Sequence, residues 1–99
     1  MIIIAGTVRI DPAKREAAQD VIRAVITKSR EEDGCIEYNY AVDVLDTSIV
    51  HVYEIWRDEK ALQAHFKTDH LQVWRQSWST FGISDRKLQR IEVASMSAL

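Results

Sequence analysis

The sequence has little of what several common functional motifs require. Among its 99 residues stand one cysteine, one proline and three glycines. A lone Cys35 excludes an internal disulfide framework and fits a reducing cytosol, so a cytoplasmic protein is expected. With only Gly6, Gly34 and Gly82, no glycine-rich phosphate-binding loop can be assembled. Neither sign of charge is in excess: 13 Lys and Arg face 15 Asp and Glu, for a net charge of -2. That balance, without a basic cluster, argues against a surface built to grip nucleic-acid backbone. No apolar run approaches the roughly 18 residues of a membrane span. The opening Met1-Ile2-Ile3-Ile4 has no basic lead and no small-residue cleavage site, so it reads as a strand and not as a signal peptide. The length allows one small domain over residues 1–99 and no second catalytic one.

What is present follows a regular order. Ile2 to Ile10 is rich in β-branched residues and reads as a strand. Asp11-Pro12 then starts a helix: the aspartate caps free amides, and proline suits the first helical position. Ala18, Val21, Ile22, Val25, Ile26 and Ser29 recur at three- and four-residue spacing, the stripe of an amphipathic helix that should end near Asp33-Gly34. Ile36, Tyr38, Tyr40 and Val42 alternate with polar neighbours as a strand does, and Asp46-Thr47-Ser48 turns the chain into a second strand, Ile49 to Trp56. Asp58 caps a helix through Ala61, Leu62, His65 and Phe66, Thr68-Asp69 breaks it, and Leu71 to about Trp78 continues as helix. Gly82 to Arg86 is expected as loop and Lys87 to Ala94 as the last strand. The order βαββαβ implies an α+β fold of the ferredoxin-like, split βαβ kind, an antiparallel sheet with helices on one face.

Such a sheet needs only one apolar face. Here Ile49, Tyr53 and Ile55 lie on one side of the third strand, with Val50, Val52 and Trp56 on the other. The first strand repeats the pattern, with Ile2, Ile4 and Val8 against Ile3 and Ala5. Ser95 to Leu99 is too short to cover the second face, so a homodimer packing sheet against sheet is expected.

The three histidines do not by themselves make a metal site. His65 and His70 are five apart across a helix break, not at the i, i+4 spacing that aims two imidazoles one way, and His51 has no ligand cluster beside it. No metal is expected. Cys35, at the negative end of a helix, reads as a small apolar residue and not a reactive thiolate. The aromatics are more informative. Tyr38, Tyr40, Tyr53 and Trp56 sit on the central hairpin, with Phe66, Trp74 and Trp78 on the helices behind it. Asn39, Glu54 and His65 are polar residues at positions where a core or a pocket wall is expected. Aromatic walls with a few convergent polar groups describe a small-molecule pocket.

Glu31-Glu32-Asp33-Gly34-Cys35, then Tyr38, the run Tyr53-Glu54-Ile55-Trp56-Arg57-Asp58, and Ala61, His65 and His70 resemble the antibiotic biosynthesis monooxygenase family. The similarity is nearest to its small quinol monooxygenase-like members and extends over almost the whole chain. The resemblance implies a dimeric α+β barrel in which two ferredoxin-like sheets face each other. It also implies an oxidoreductase that oxygenates a small aromatic quinol or polyphenol with dioxygen, using no metal, flavin or other cofactor. Such chemistry needs a base, a dry aromatic pocket and hydrogen-bond donors where negative charge develops. On that basis His65 is the expected base or proton shuttle and Trp56 the wall that orients the ring. Asn39 and Tyr53 would orient polar groups, Phe66 and Trp74 would bound the pocket, and Glu54 would fix a histidine tautomer or hold a structural hydrogen bond. A haem-degrading branch of the superfamily uses an asparagine on the first strand and a helical histidine. This chain has no asparagine on that strand and no histidine beyond His70.

Two other readings fit the same residues. One is an oxygen-independent, isomerase-type enzyme on a small polar carbonyl compound, which would need Arg57, Arg75 or Arg90 as an anchor facing the pocket. The other is a non-catalytic dimer that binds a small ligand.

Overall fold

The computed structural model describes residues 1–99. Four strands, β1 (Ile2–Arg9), β2 (Cys35–Val42), β3 (Ile49–Trp56) and β4 (Ser84–Glu92), form one antiparallel sheet in the order β2-β3-β1-β4. Helix α1 (Arg15–Arg30) connects β1 to β2; α2 (Glu59–Phe66), α3 (Asp69–Gln76) and the short α4 (Trp78–Phe81) connect β3 to β4. This is the split βαβ arrangement, in which β3 lies between the two strands joined by α1. The sheet does not close into a barrel within one chain. The ferredoxin-like α+β expectation holds.

Local chemistry sets the boundaries. The Asp11 carboxylate accepts from the Ala13 amide at 3.0 Å, and Pro12 opens a 3-10 turn, Pro12–Lys14, that leads into α1. Asp58 caps α2 through the Ala61 amide at 2.8 Å. The break between α2 and α3 falls at Lys67 and Thr68, where the sequence places it. Three boundaries differ from expectation. Helix α1 ends at Arg30, and Gly34, with φ of 84°, sits in the following turn, which brings the Glu32 side chain inward. Strand β4 starts at Ser84, before the expected Lys87, because the residue at Asp85 takes a positive φ of 49° and the register against β1 shifts there. It ends at Glu92, short of Ala94.

The core lies between the sheet and the helices. Ile2, Tyr38 and Trp56 pack on Ala61 and Leu62 of α2, and Val8, Val50 and Val52 pack with Ile10 and on Ala18 of α1. Leu71 and Trp74 of α3 close on Val25. Burial of each large apolar side chain is worth about 1.5–3 kcal/mol. One close approach is decisive at Gly6, whose φ is 154°: a Cβ there would stand 1.9 Å from the Lys87 carbonyl oxygen on β4. No side chain fits, so glycine permits β4 to join the sheet.

The pairing also defines two sheet faces. Tyr38, Glu54, Ile4 and Arg90 form one row across all four strands, on the helix-covered side. One residue along, Asn39, Tyr53, Ala5 and Gln89 form a row on the other face.

Candidate active site

A cavity of about 230 Å³ opens between the helices and the β1–β4 side of the sheet. Ile4, Glu54 and the two tyrosines Tyr38 and Tyr40 line its sheet wall. His65 and Phe66 of α2, Trp74 and Arg75 of α3, and Trp78 of α4 line its helical wall. Arg86, Leu88 and Arg90 of β4 complete it. A neighbouring hollow of about 430 Å³ shares Val8, Tyr40, Trp74 and Ile83 with it, and its charged residues are Arg15 and Glu16. The first cavity is the chemical candidate because it gathers the buried titratable groups.

Glu54 is 6% exposed. Burial raises its carboxyl to about 7, against the opposing influence of a hydrogen bond from Trp56 and of the Arg86 charge. A carboxyl in that range can take up or release a proton at neutral pH. The Trp56 indole Nε1 donates to Glu54 Oε1 at 2.9 Å.

His65 is 2% exposed, with its ring 4.5 Å from that of Trp56 and 5.4 Å from that of Tyr38. Glu32 Oε2 accepts from His65 Nδ1 at 2.7 Å and from His70 Nε2 at 2.8 Å. A carboxylate only accepts, so these two ring nitrogens carry the protons. Desolvation lowers the His65 pKa below its usual value even with Glu32 pulling it up, which keeps the ring neutral at pH 7 with its lone pair on Nε2. A histidine held in one tautomer by a carboxylate is the usual arrangement of an oriented proton acceptor. The donor atoms of Glu32, His65 and His70 all lie within 4.8 Å of one another, close enough to consider a cation. Their short mutual hydrogen bonds already satisfy them as a network.

The hydroxyls of Tyr38 and Tyr40 lie 2.9 Å apart. Burial raises both, Tyr40 to about 12, so both stay protonated and available as donors. Burial likewise pushes the Cys35 thiol up to about 11, in keeping with an unreactive cysteine.

Of the residues singled out from the sequence, Glu54, His65, Phe66 and Trp74 come together around the cavity. Trp56 does not line it; the side chain is fully buried and reaches the cavity through its hydrogen bond to Glu54 and its ring contact with His65. Asn39 and Tyr53 belong to the opposite face, because each is out of phase with the inward residues of its strand. Asn39 Oδ1 accepts from Arg30 at 2.8 Å, and Tyr53 is 38% exposed. Glu54 fixes no histidine tautomer, a role that falls to Glu32. Arg57 pairs with Asp33 and Asp58 away from the cavity, while Arg75 and Arg90 line it. Sequence reasoning named Tyr38 and Tyr40 among the pocket aromatics without giving them a role, and missed Glu32, His70 and Arg86 as parts of the site. Strand parity marks Tyr38 and Tyr40 as inward with Glu54, whereas nothing local links Glu32 to histidines 33 and 38 residues away.

Comparison with known proteins decides the family. The family model for antibiotic biosynthesis monooxygenase matches residues 1–77. The chain belongs to the antibiotic biosynthesis monooxygenase family. An uncharacterised protein of Synechocystis is 33% identical over 69 residues, 70% of this chain, and the match spans 47% of that relative, about half its length. A Bacillus subtilis protein named "Putative monooxygenase YcnE" is 29% identical over 72 residues, 73% of this chain and 76% of its own. Among solved structures, a "putative antibiotic biosynthesis monooxygenase" from Deinococcus radiodurans superposes with a TM-score of 0.89 at 18% identity, covering 100% of this chain and 98% of that one. That likeness speaks for the fold. The family model spans β1 to α3.

Proposed function

We propose that the domain is a cofactor-independent monooxygenase that oxidises a small aromatic quinol or polyphenol with dioxygen, working as a homodimer. The observation that carries this reading is the pairing, in one aromatic cavity, of a buried carboxyl raised to about 7 with a neutral histidine oriented by a second carboxylate. In the proposed reaction Glu54 accepts the proton of a ring hydroxyl, and His65 Nε2 relays protons within the cavity. The phenolate passes one electron to dioxygen, and the phenoxyl radical and superoxide combine at a ring carbon. The resulting peroxide takes a proton back from the pair and loses water, leaving a carbonyl. One substrate and one dioxygen give one quinone and one water. Trp56 acts as a positioning residue for Glu54, and Phe66 and Trp74 bound the ring.

The dimer assignment is supported by the face away from the helices, where Tyr53 and Ile91 are both more than a third exposed beside Ile3 and Ala5. No helix is long and apolar enough to cross a membrane.

The test is oxygen uptake with a hydroquinone panel. Stoichiometric consumption of dioxygen that stops under nitrogen supports the reading; turnover that persists without oxygen sinks it. A second reading, oxygen-independent conversion of a polar carbonyl compound, is favoured by Arg75 and Arg90 on the cavity wall, and anaerobic turnover is its signature. Ligand binding with no product by mass spectrometry would instead support a non-catalytic binding dimer.

A further inference from the structure

The cavity is richer in cations than the chain as a whole. Three arginines reach it, while the chain carries a net charge of -2. Arg90 is neutralised by Glu59 and Glu92. Arg75 and Arg86 have no carboxylate partner. Each is instead held over an aromatic ring of the cavity wall, Arg75 at 5.7 Å from the Phe66 centroid and Arg86 at 4.6 Å from that of Trp78. Stacking of this kind fixes a guanidinium plane while leaving its N–H groups free to meet a planar anion. The only carboxylate lining the cavity is Glu54, which lies inward and is already bonded to Trp56. Charge is therefore arranged in one direction: a proton-accepting interior, and a mouth with two preorganised, unpaired cations. Both arginines are exposed, so neither contributes appreciably to the core.

We propose that the cavity selects a planar aromatic acid, a hydroxylated ring bearing a carboxylate, with the carboxylate at Arg75 and Arg86 and the hydroxyl directed inward to Glu54 and His65. A ring of this type places its negative group where the charge is uncompensated and keeps it away from Glu54. A neutral quinol leaves both guanidinium groups unused. This proposal rests on the reading that the cavity holds a hydroxylated ring, and it adds the chemical class of that ring.

The experiment is calorimetric binding under nitrogen of two matched probes, hydroquinone and its ring-carboxylated counterpart gentisate. It uses the wild type, R75Q, R86Q, the double variant and the remote control R57Q. Binding without oxygen reports recognition whether or not turnover follows, so failure here and failure of the oxygen-uptake assay are separate outcomes. The expected result is that the wild type and R57Q bind gentisate about tenfold or more tighter than hydroquinone. Each single cavity variant should lose part of that preference and the double variant all of it, read as the ratio of gentisate to hydroquinone affinity within each variant. Equal affinity for the two probes, binding of neither, a preference that survives in the double variant, or an equal loss in R57Q would each overturn the proposal.

Discussion

The Trp56 indole N–H points at Glu54, two residues earlier on the same strand face, and donates to its carboxyl at 2.9 Å within the buried layer between sheet and helices. A fully buried tryptophan needs a partner for its one donor, and a buried carboxyl needs donors to be tolerated at all. Each residue supplies what the other lacks. The Glu-x-Trp run in the sequence is thus a buried carboxyl together with the donor that supports it.

Glu54→Gln keeps the acceptor for Trp56 and removes the titration. The folded chain holds the Glu54 proton up to about pH 7, while the unfolded chain releases it near 4.5. Between these values the unfolded state has lost a proton that the folded state retains, so stability falls as pH rises and the loss is complete above about 7. The shift corresponds to about 3 kcal/mol. Glu54→Gln should therefore be more stable than the wild type at pH 8 by up to about 3 kcal/mol, with little difference at pH 4 in urea denaturation. Its turnover should drop by about a hundredfold or more.

Trp56→Phe retains a ring and deletes the donor. The hydrogen bond holds the Glu54 pKa down against burial, so its loss should raise that pKa further. The limb of the pH–rate profile that reports Glu54 should move to higher pH, while a purely structural role for Trp56 would lower the rate without moving the limb. Stability should fall by about 1–3 kcal/mol.

Glu32→Gln tests the histidine pair. The His65 pKa in the folded chain is depressed from 6.5, so its contribution to stability is present above pH 6.5 and is lost as pH falls below it. Glu32 opposes that depression. Removing its charge should make stability fall more steeply on the acid side, and should cost about 1–3 kcal/mol at pH 7 because both histidines lose a charged acceptor. Denaturation curves between pH 5 and pH 8 give both quantities.

Gly6→Ala places a methyl group on the Lys87 carbonyl oxygen. Either β1 or β4 must move, and the expected cost is at least about 2 kcal/mol. Hydrogen exchange should show β4 amides losing protection before those of β2 and β3.

Tyr53→Glu puts a carboxylate on the outer face at the row shared with Ala5 and Asn39. Light scattering at micromolar concentration should give a dimer for the wild type, as proposed, and a monomer for this variant. Anaerobic ligand binding in the cavity should be retained, since Tyr53 lies on the other side of the sheet.

Much of the fold was legible because local chemistry and hydrophobic period agreed. Strand β3 spans Ile49–Trp56 as read, and the Asp58 cap fixes α2 without help from distant residues. The site was legible only where a residue's own strand or helix phase decided its direction. Glu54 and His65 followed from burial and type, but Asn39 and Tyr53 were assigned by chemistry against their strand parity, and parity prevailed. The spacing argument that separated His65 from His70 was sound for a single helix; the α1–β2 turn then reunites them through Glu32. Arg86 falls at the end of the stretch that reads as loop, Gly82 to Arg86, before the expected strand. Only the positive φ at Asp85 and the shifted register show how β4 begins early enough to carry it.

The family match ends at residue 77, whereas Arg86, Leu88 and Arg90 come from β4. The groups proposed to move protons, Glu54 and His65, and their supports Trp56 and Glu32 all lie within the matched segment; of the two arginines proposed to take the carboxylate, Arg75 lies within it and Arg86 beyond it. Under the readings proposed above, the last strand thus carries one half of the acid-selecting pair and none of the proton-handling groups. Grafting a last strand without Arg86 should weaken the preference for the acid over the neutral ring and move the Glu54 limb of the pH–rate profile to higher pH. A single edge strand, joined to its neighbour across Gly6, would then tune both the fit of the ring and the acidity of the chamber it closes.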